Sequence, residues 1–184
     1  MVSIISLWMP ILLSALAVFF MSFIIWTVLP YHKTDYRAVE REEDARNALR
    51  GLSPGQYNIP NIADWGELKK PEVKQKFEEG PLAYVTVMPS GLPKMGGKLT
   101  QWFVFNLVMS VFAAYLAGRA LTTGADFASV MRITATITFL AYGAAEFTQA
   151  IWYGRPWSMT LKTVFDALLY GLATGGIFGW LWPS

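Results

Sequence analysis

Glu146 and Asp166 are the residues best placed to do chemistry, because each stands inside a long run of apolar side chains. Glu146 lies about six residues inside the end of its run, roughly 9 Å at 1.5 Å per residue, and Asp166 lies at a similar depth in the next run. A carboxylate in hydrocarbon is costly and faces protein or water. Two kinds of chemistry fit. One is a proton or cation site. The other is a polar clamp: Lys162, one turn before Asp166, can pair with it, and Arg155 and Lys162 both come within reach of Glu146. A conduit needs a polar path across the apolar layer. Thr134, Thr136 and Thr138 step at spacing two, which scatters them around a helix, and Arg132 stands near the far end with little strongly polar between. The spacing favours a clamp built from Glu146, Asp166, Lys162 and Arg155.

Other constellations fall away. The chain has no Cys and a single His, His32, which excludes disulfides, thiolate chemistry, iron–sulfur clusters and any site needing several imidazoles. His32 follows the first apolar run beside Tyr31 and Lys33. It is a candidate ligand for a haem or chlorin metal, but a lone His there reads better as an interfacial polar side chain. Gly91 to Thr100 invites comparison with a phosphate loop, which requires Gly, four residues, then Gly-Lys-Ser/Thr. Here five residues separate Gly91 from Gly97-Lys98, and Leu99 follows, so the match fails. A net charge of +2 gives no footing for nucleic acid. No cofactor, no metal and no enzymatic activity are expected.

The elements that must position these residues follow from how charge is distributed. Eleven of fifteen Lys and Arg lie between Lys33 and Lys98, and ten of thirteen Asp and Glu between Asp35 and Glu79. The remainder is nearly uncharged and divides into four apolar runs. The first, Ile4 to Leu29, exceeds the roughly 20 residues that cross a bilayer. Ala15-Leu16-Ala17 has the spacing of a signal-peptidase site, yet no basic residue precedes it and the run continues to Leu29, so an uncleaved helix is expected. The others run from about Trp102 to Gly118, Phe127 to Trp152 and Thr160 to Trp182. Asp126 is placed to cap the third, and Gly154-Arg155-Pro156 separates the third from the fourth. Trp8, Trp26, Trp102, Trp152, Trp157, Trp180 and Trp182 fall at expected span ends, where an amphipathic indole favours the headgroup layer. Gly171, Gly175 and Gly179 repeat every fourth residue on the fourth span, a row that lets helix backbones approach closely; Ala113, Ala117 and Gly118 form a weaker counterpart on the second.

These readings predict an all-α membrane protein with four transmembrane helices. Residues 1–30 hold the first helix, 31–100 a mostly helical or irregular polar segment, and 101–184 a three-helix bundle. The excess of Lys and Arg places residues 31–100 in the cytoplasm and both termini outside. Within that segment, Thr34 or Asp35 is expected to cap a helix reaching Arg50, with Glu42 paired to Arg46. Ser53-Pro54-Gly55 reads as a turn, Pro71 as the start of a helix ending near Gly80, and Leu82 to Met88 as a strand. With few large apolar side chains the segment makes a poor core of its own.

Trp152-Tyr153-Gly154-Arg155-Pro156-Trp157, then Lys162, Asp166, Tyr170-Gly171 and the ending Phe178 to Pro183, together with Leu29 to Lys33 and Pro54 to Tyr57, resemble an uncharacterised family of small four-helix bacterial inner-membrane proteins. The resemblance implies that membrane and that plan, and it carries over no functional residue. Lipid bilayer and other membrane-protein subunits are the expected partners. The expected role is a non-catalytic accessory subunit of a larger bioenergetic complex, photosynthetic or respiratory. The alternative is a small transporter or proton- or cation-conducting protein centred on Glu146 and Asp166.

Overall fold

A computed structural model describes residues 1–184 and divides them into two compact units, Met1–Tyr36 with Lys94–Ser184, and Arg37–Pro93. Four helices are long and apolar enough to cross a membrane, and all four belong to the first unit. The chain is a four-span, mostly helical membrane protein.

Helix α1 (Trp8–Phe23) is preceded by a tight turn at Ile5–Leu7 and carries Pro10 in its first turn, where a missing backbone donor goes unnoticed. Its last turn widens at Ile24–Val28, closed by Leu29 N donating to Ile24 O at 3.0 Å, and Pro30 then starts a tight turn over Pro30–His32. Wide turns of this kind are frequent at functional sites. Here the change of winding brings Tyr31 and His32 against the last helix.

In the polar unit, α2 (Glu42–Leu49), β1 (Gly55–Ile59), α3 (Pro71–Glu79) and β2 (Ala83–Val87) follow. The strands pair antiparallel, from Gly55 opposite Val87 to Ile59 opposite Ala83. Helix α3 lies where the sequence places it, and β2 has the strand partner that sequence reading lacked. The turn expected at Ser53-Pro54-Gly55 is corrected to Arg50 and Gly51, because Gly55 already belongs to β1. The expected helix from Thr34 or Asp35 to Arg50 is corrected to α2 alone. Neither residue caps it, because the Asp35 carboxylate is engaged elsewhere, and the helix starts instead with Glu42, Glu43 and Asp44 in its first turn, where acidic side chains favour the helix dipole. Arg46 pairs with Glu43 at 3.1 Å rather than with Glu42. No residue of this unit is buried.

Helix α4 (Met95–Ala120) begins seven residues before Trp102, so the second span is longer than expected. Asp126 caps α5 (Phe127–Tyr153) through Ser129 N at 3.0 Å, and Gly154, left-handed at φ 68°, ends it. Pro156 opens α6 (Trp157–Trp180). The helices form a ring: α1 packs on α4 and α6, and α5 on α4 and α6, with α5 and α6 the most extensive pair. The glycine row explains that pair. A Cβ at Gly171 would stand 2.8 Å from Ala135 O, at Gly175 2.9 Å from Ala135 Cβ, and at Gly179 2.7 Å from the Phe127 ring. The counterpart of this row is therefore Phe127, Met131 and Ala135 of α5. Ala113, Ala117 and Gly118 do not oppose it; Gly118 admits the N-terminal segment, its carbonyl accepting from Val2 N at 2.9 Å.

The interior of the bundle is layered. Leu7, Ile11, Ala114, Val130 and Phe178 form an apolar cluster at one end. Ser14, Ser110, Thr134, Thr138 and Thr174, from all four helices, are buried hydroxyls. Val18, Ile25 and Tyr170 pack together, with Tyr31 and Tyr142 against them.

Candidate functional site

Five side chains close into a ring where α1 turns over onto α6. His32 Nδ1 lies 2.6 Å from Asp35 Oδ2, and its Nε2 lies 2.9 Å from Asp166 Oδ2. The Tyr31 hydroxyl donates to Asp166 Oδ1. Lys162 Nζ donates to Asp35 Oδ1 at 2.5 Å, to Tyr31 O at 2.5 Å and to Thr34 Oγ1 at 3.3 Å. Both aspartate side chains are 1% exposed and His32 is 3%, whereas Lys162 keeps 27%. Trp26 covers the imidazole, stacked at 4.0 Å and 10°.

The local sequence produces this arrangement. Lys162 and Asp166 stand one turn apart on the same face of α6. Pro30 fixes the tight turn that sends Tyr31, His32 and Asp35 to that face, and His32 O accepts from Asp35 N at 3.0 Å to hold the turn. Each ring nitrogen of His32 faces a carboxylate oxygen. With both carboxylates ionised, each nitrogen must donate, which only the imidazolium does; two aspartates, one lysine and one imidazolium then sum to zero charge. Burial pushes the Asp35 carboxyl up, but the Lys162 and His32 hydrogen bonds outweigh it and hold the group below the usual carboxylate range. Burial raises the Tyr31 hydroxyl, and the bond to the negative Asp166 raises it further.

The four clamp residues expected from the sequence thus divide into two groups. Lys162 does not pair with Asp166, because Tyr31 and His32 occupy one oxygen each and the amine is drawn to Asp35. Arg155 does pair with Glu146, at side-chain exposures of 23% and 22%, and its Nη2 donates to Thr163 Oγ1 at 3.2 Å. His32, read as an interfacial side chain, is buried, and both its nitrogens are taken up by carboxylates. Tyr31 and Asp35 were missed. The signal for them was the sequence Pro30-Tyr31-His32 immediately after an apolar run, a tight turn that returns the chain to the bundle.

Beside this ring lies a cavity of about 620 Å³. All four spanning helices contribute to its lining, including Ser22, Trp102, Tyr142, Glu146, Asp166 and Tyr170. Trp102 Nε1 donates to Ser22 Oγ at 2.8 Å, and the Tyr142 hydroxyl donates to Asn106 Oδ1 at 2.8 Å. Trp102, expected as an interface anchor, is accordingly half-buried well inside α4. Trp8, Trp152, Trp157 and Trp180 are exposed near helix ends, Trp26 is committed to His32, and Trp182 donates to Thr122 O at 2.9 Å.

Compared with protein-family models, curated proteins and solved structures, the chain matches none. The stretch Trp152 to Trp157 therefore assigns no family, and what stands is the plan of four apolar helices.

Proposed function

We propose that this chain is a non-catalytic subunit of a larger bacterial inner-membrane assembly, with the energy-converting complexes, photosynthetic or respiratory, as the class to search first. The observation that carries the reading is closure of the ring: Asp35, His32, Asp166 and Lys162 each find their partners within it or in Tyr31 and Thr34, and Glu146 finds Arg155. Groups spent on one another fix geometry, and a fixed bundle with a close-packed glycine seam suits assembly better than turnover. The unit Arg37–Pro93 supports the same reading, since a polar unit that buries no residue of its own gains from being covered by a partner. In this proposal residues 31–100 face the cytoplasm and both termini lie outside. Solubilising native membranes in a mild detergent and isolating the tagged chain should yield a large hetero-assembly. Recovery of the chain alone, or as a homo-oligomer, contradicts the reading.

One observation favours the second reading, a small proton or cation conductor centred on Glu146 and Asp166. Ser14 Oγ, Thr138 Oγ1, Thr174 Oγ1 and Asn106 Nδ2 are buried without a partner from the protein. Hydroxyls in that state suit water or a cation. Against it stands the apolar cluster of Leu7, Ile11, Ala114, Val130 and Phe178, which closes the interior at the end remote from Asp166.

A further inference from the structure

We propose that the cavity among the four spanning helices binds a neutral ring-bearing alcohol of the phenol or quinol class that carries an apolar tail. Its volume of about 620 Å³ falls in the range of about 300–1,000 Å³ that holds cofactor-sized molecules. The lining is mostly apolar and strongly aromatic. Trp102 stacks on Phe105 at 5.7 Å, Tyr142 stands edge-on to them at 5.9 and 5.4 Å, and Tyr170 meets Tyr142 at 5.4 Å. Such surfaces offer offset and edge contacts to a flat ring that a saturated chain does not exploit. Ala141 and Ala145, one turn apart on α5, leave the room for it.

The polar groups select the head. The Trp102 N–H is spent on Ser22 and the Tyr142 hydroxyl on Asn106, so neither donor is free for a ligand. Asp166 is 1% exposed, with both oxygens taken by Tyr31 and His32. Glu146, in contrast, lines the cavity with its side chain 22% exposed and gives only Oε2 to Arg155, leaving Oε1 open to a ligand. The cavity therefore presents a carboxylate acceptor with the Tyr170 hydroxyl also in its lining, and a ligand that brings a donor suits it best. It must also be neutral. The carboxylate of Glu146 is already balanced by Arg155, and an ionic head would add an uncompensated charge in a poorly solvated place. Phe23 on α1 and Leu99 on α4 line the cavity and are exposed on the outer surface, which gives an apolar tail a way into lipid. The inference does not depend on whether the chain belongs to a larger assembly.

The test uses the full chain in phosphatidylcholine nanodiscs with tritiated para-octylphenol, subtracting empty discs. The excess of acyl chains in the disc competes for any site that merely holds lipid. Saturable binding at one site per chain is expected, and the methyl ether of octylphenol, which lacks the donor, should bind about tenfold more weakly or worse, the loss expected for one hydrogen bond to a charged group. Ala145→Phe fills the cavity without touching the ring and should abolish saturable binding. Uptake that only follows partition into the disc overturns the site, as does unchanged affinity in Ala145→Phe. Equal affinity for phenol and ether overturns the assigned chemistry, and because that comparison uses the wild-type chain it decides the matter even if the variant fails to fold.

Discussion

Asp35 is held between an amine and an imidazole, and both of those partners are also tied to groups beyond it. Removing one member of such a buried pair strands the other, typically at about 3–5 kcal/mol, whereas replacing both by apolar groups is often nearly neutral. The residual exposure of Lys162 lowers that figure here. Asp35→Leu and Lys162→Met should each destabilise the protein in detergent, and the double variant should recover a substantial part of the loss; additive effects would mean the two do not interact. The pH dependence has two limbs. The Asp35 carboxyl is depressed on folding, so its contribution is present above its unfolded value and is lost as pH falls below about 4. The Tyr31 hydroxyl is raised, so its contribution is present below its unfolded value and is lost as pH rises past about 10. Thermal melts across pH should show Tyr31→Phe losing the alkaline limb and Asp35→Asn the acid limb. Sequence reading located Asp166 and Lys162 because charges stand out in apolar runs. It paired them wrongly because spacing along a helix says nothing of a residue arriving from elsewhere in the chain, and the arrival of Tyr31, His32 and Asp35 depends on how α1 ends.

Helix α6 carries both the ring and the glycine row, and the two occupy its successive turns. The row sets the distance to α5: a side chain at Gly175 would meet Met131 and Ala135 on the facing helix at 2.9 Å. Gly175→Leu should cost about 1–3 kcal/mol or more through forced separation of the backbones. Leu168→Ala, on a residue that faces outward, should cost less, and detergent melting temperatures distinguish them. Equal effects would remove the case for a close-packed seam. The row was visible in the sequence as four-residue spacing. Its partner was not, because the facing surface uses Met131 and Ala135 with the backbone oxygen of Ala135 rather than small residues alone, and no composition rule singles out such a surface. The span ends were legible from hydropathy, whereas α4 extends to Met95 through Gly96 and Gly97, which helix propensity disfavours.

Across the whole molecule, four apolar helices enclose an interior that changes from the hydrogen-bonded ring beside Asp166, through buried hydroxyls, to an apolar cluster around Phe178. A path for ions would have to pass that cluster, and the ring at the other end would have to release its members in turn. The ring is instead closed on itself, so the chain should hold its structure and conduct nothing. The decisive measurement is proton and potassium flux into liposomes containing the purified full chain, driven by an imposed membrane potential. The clamp predicts flux equal to that of protein-free liposomes; a flux in the wild type that disappears in a folded Asp166→Asn variant would contradict it.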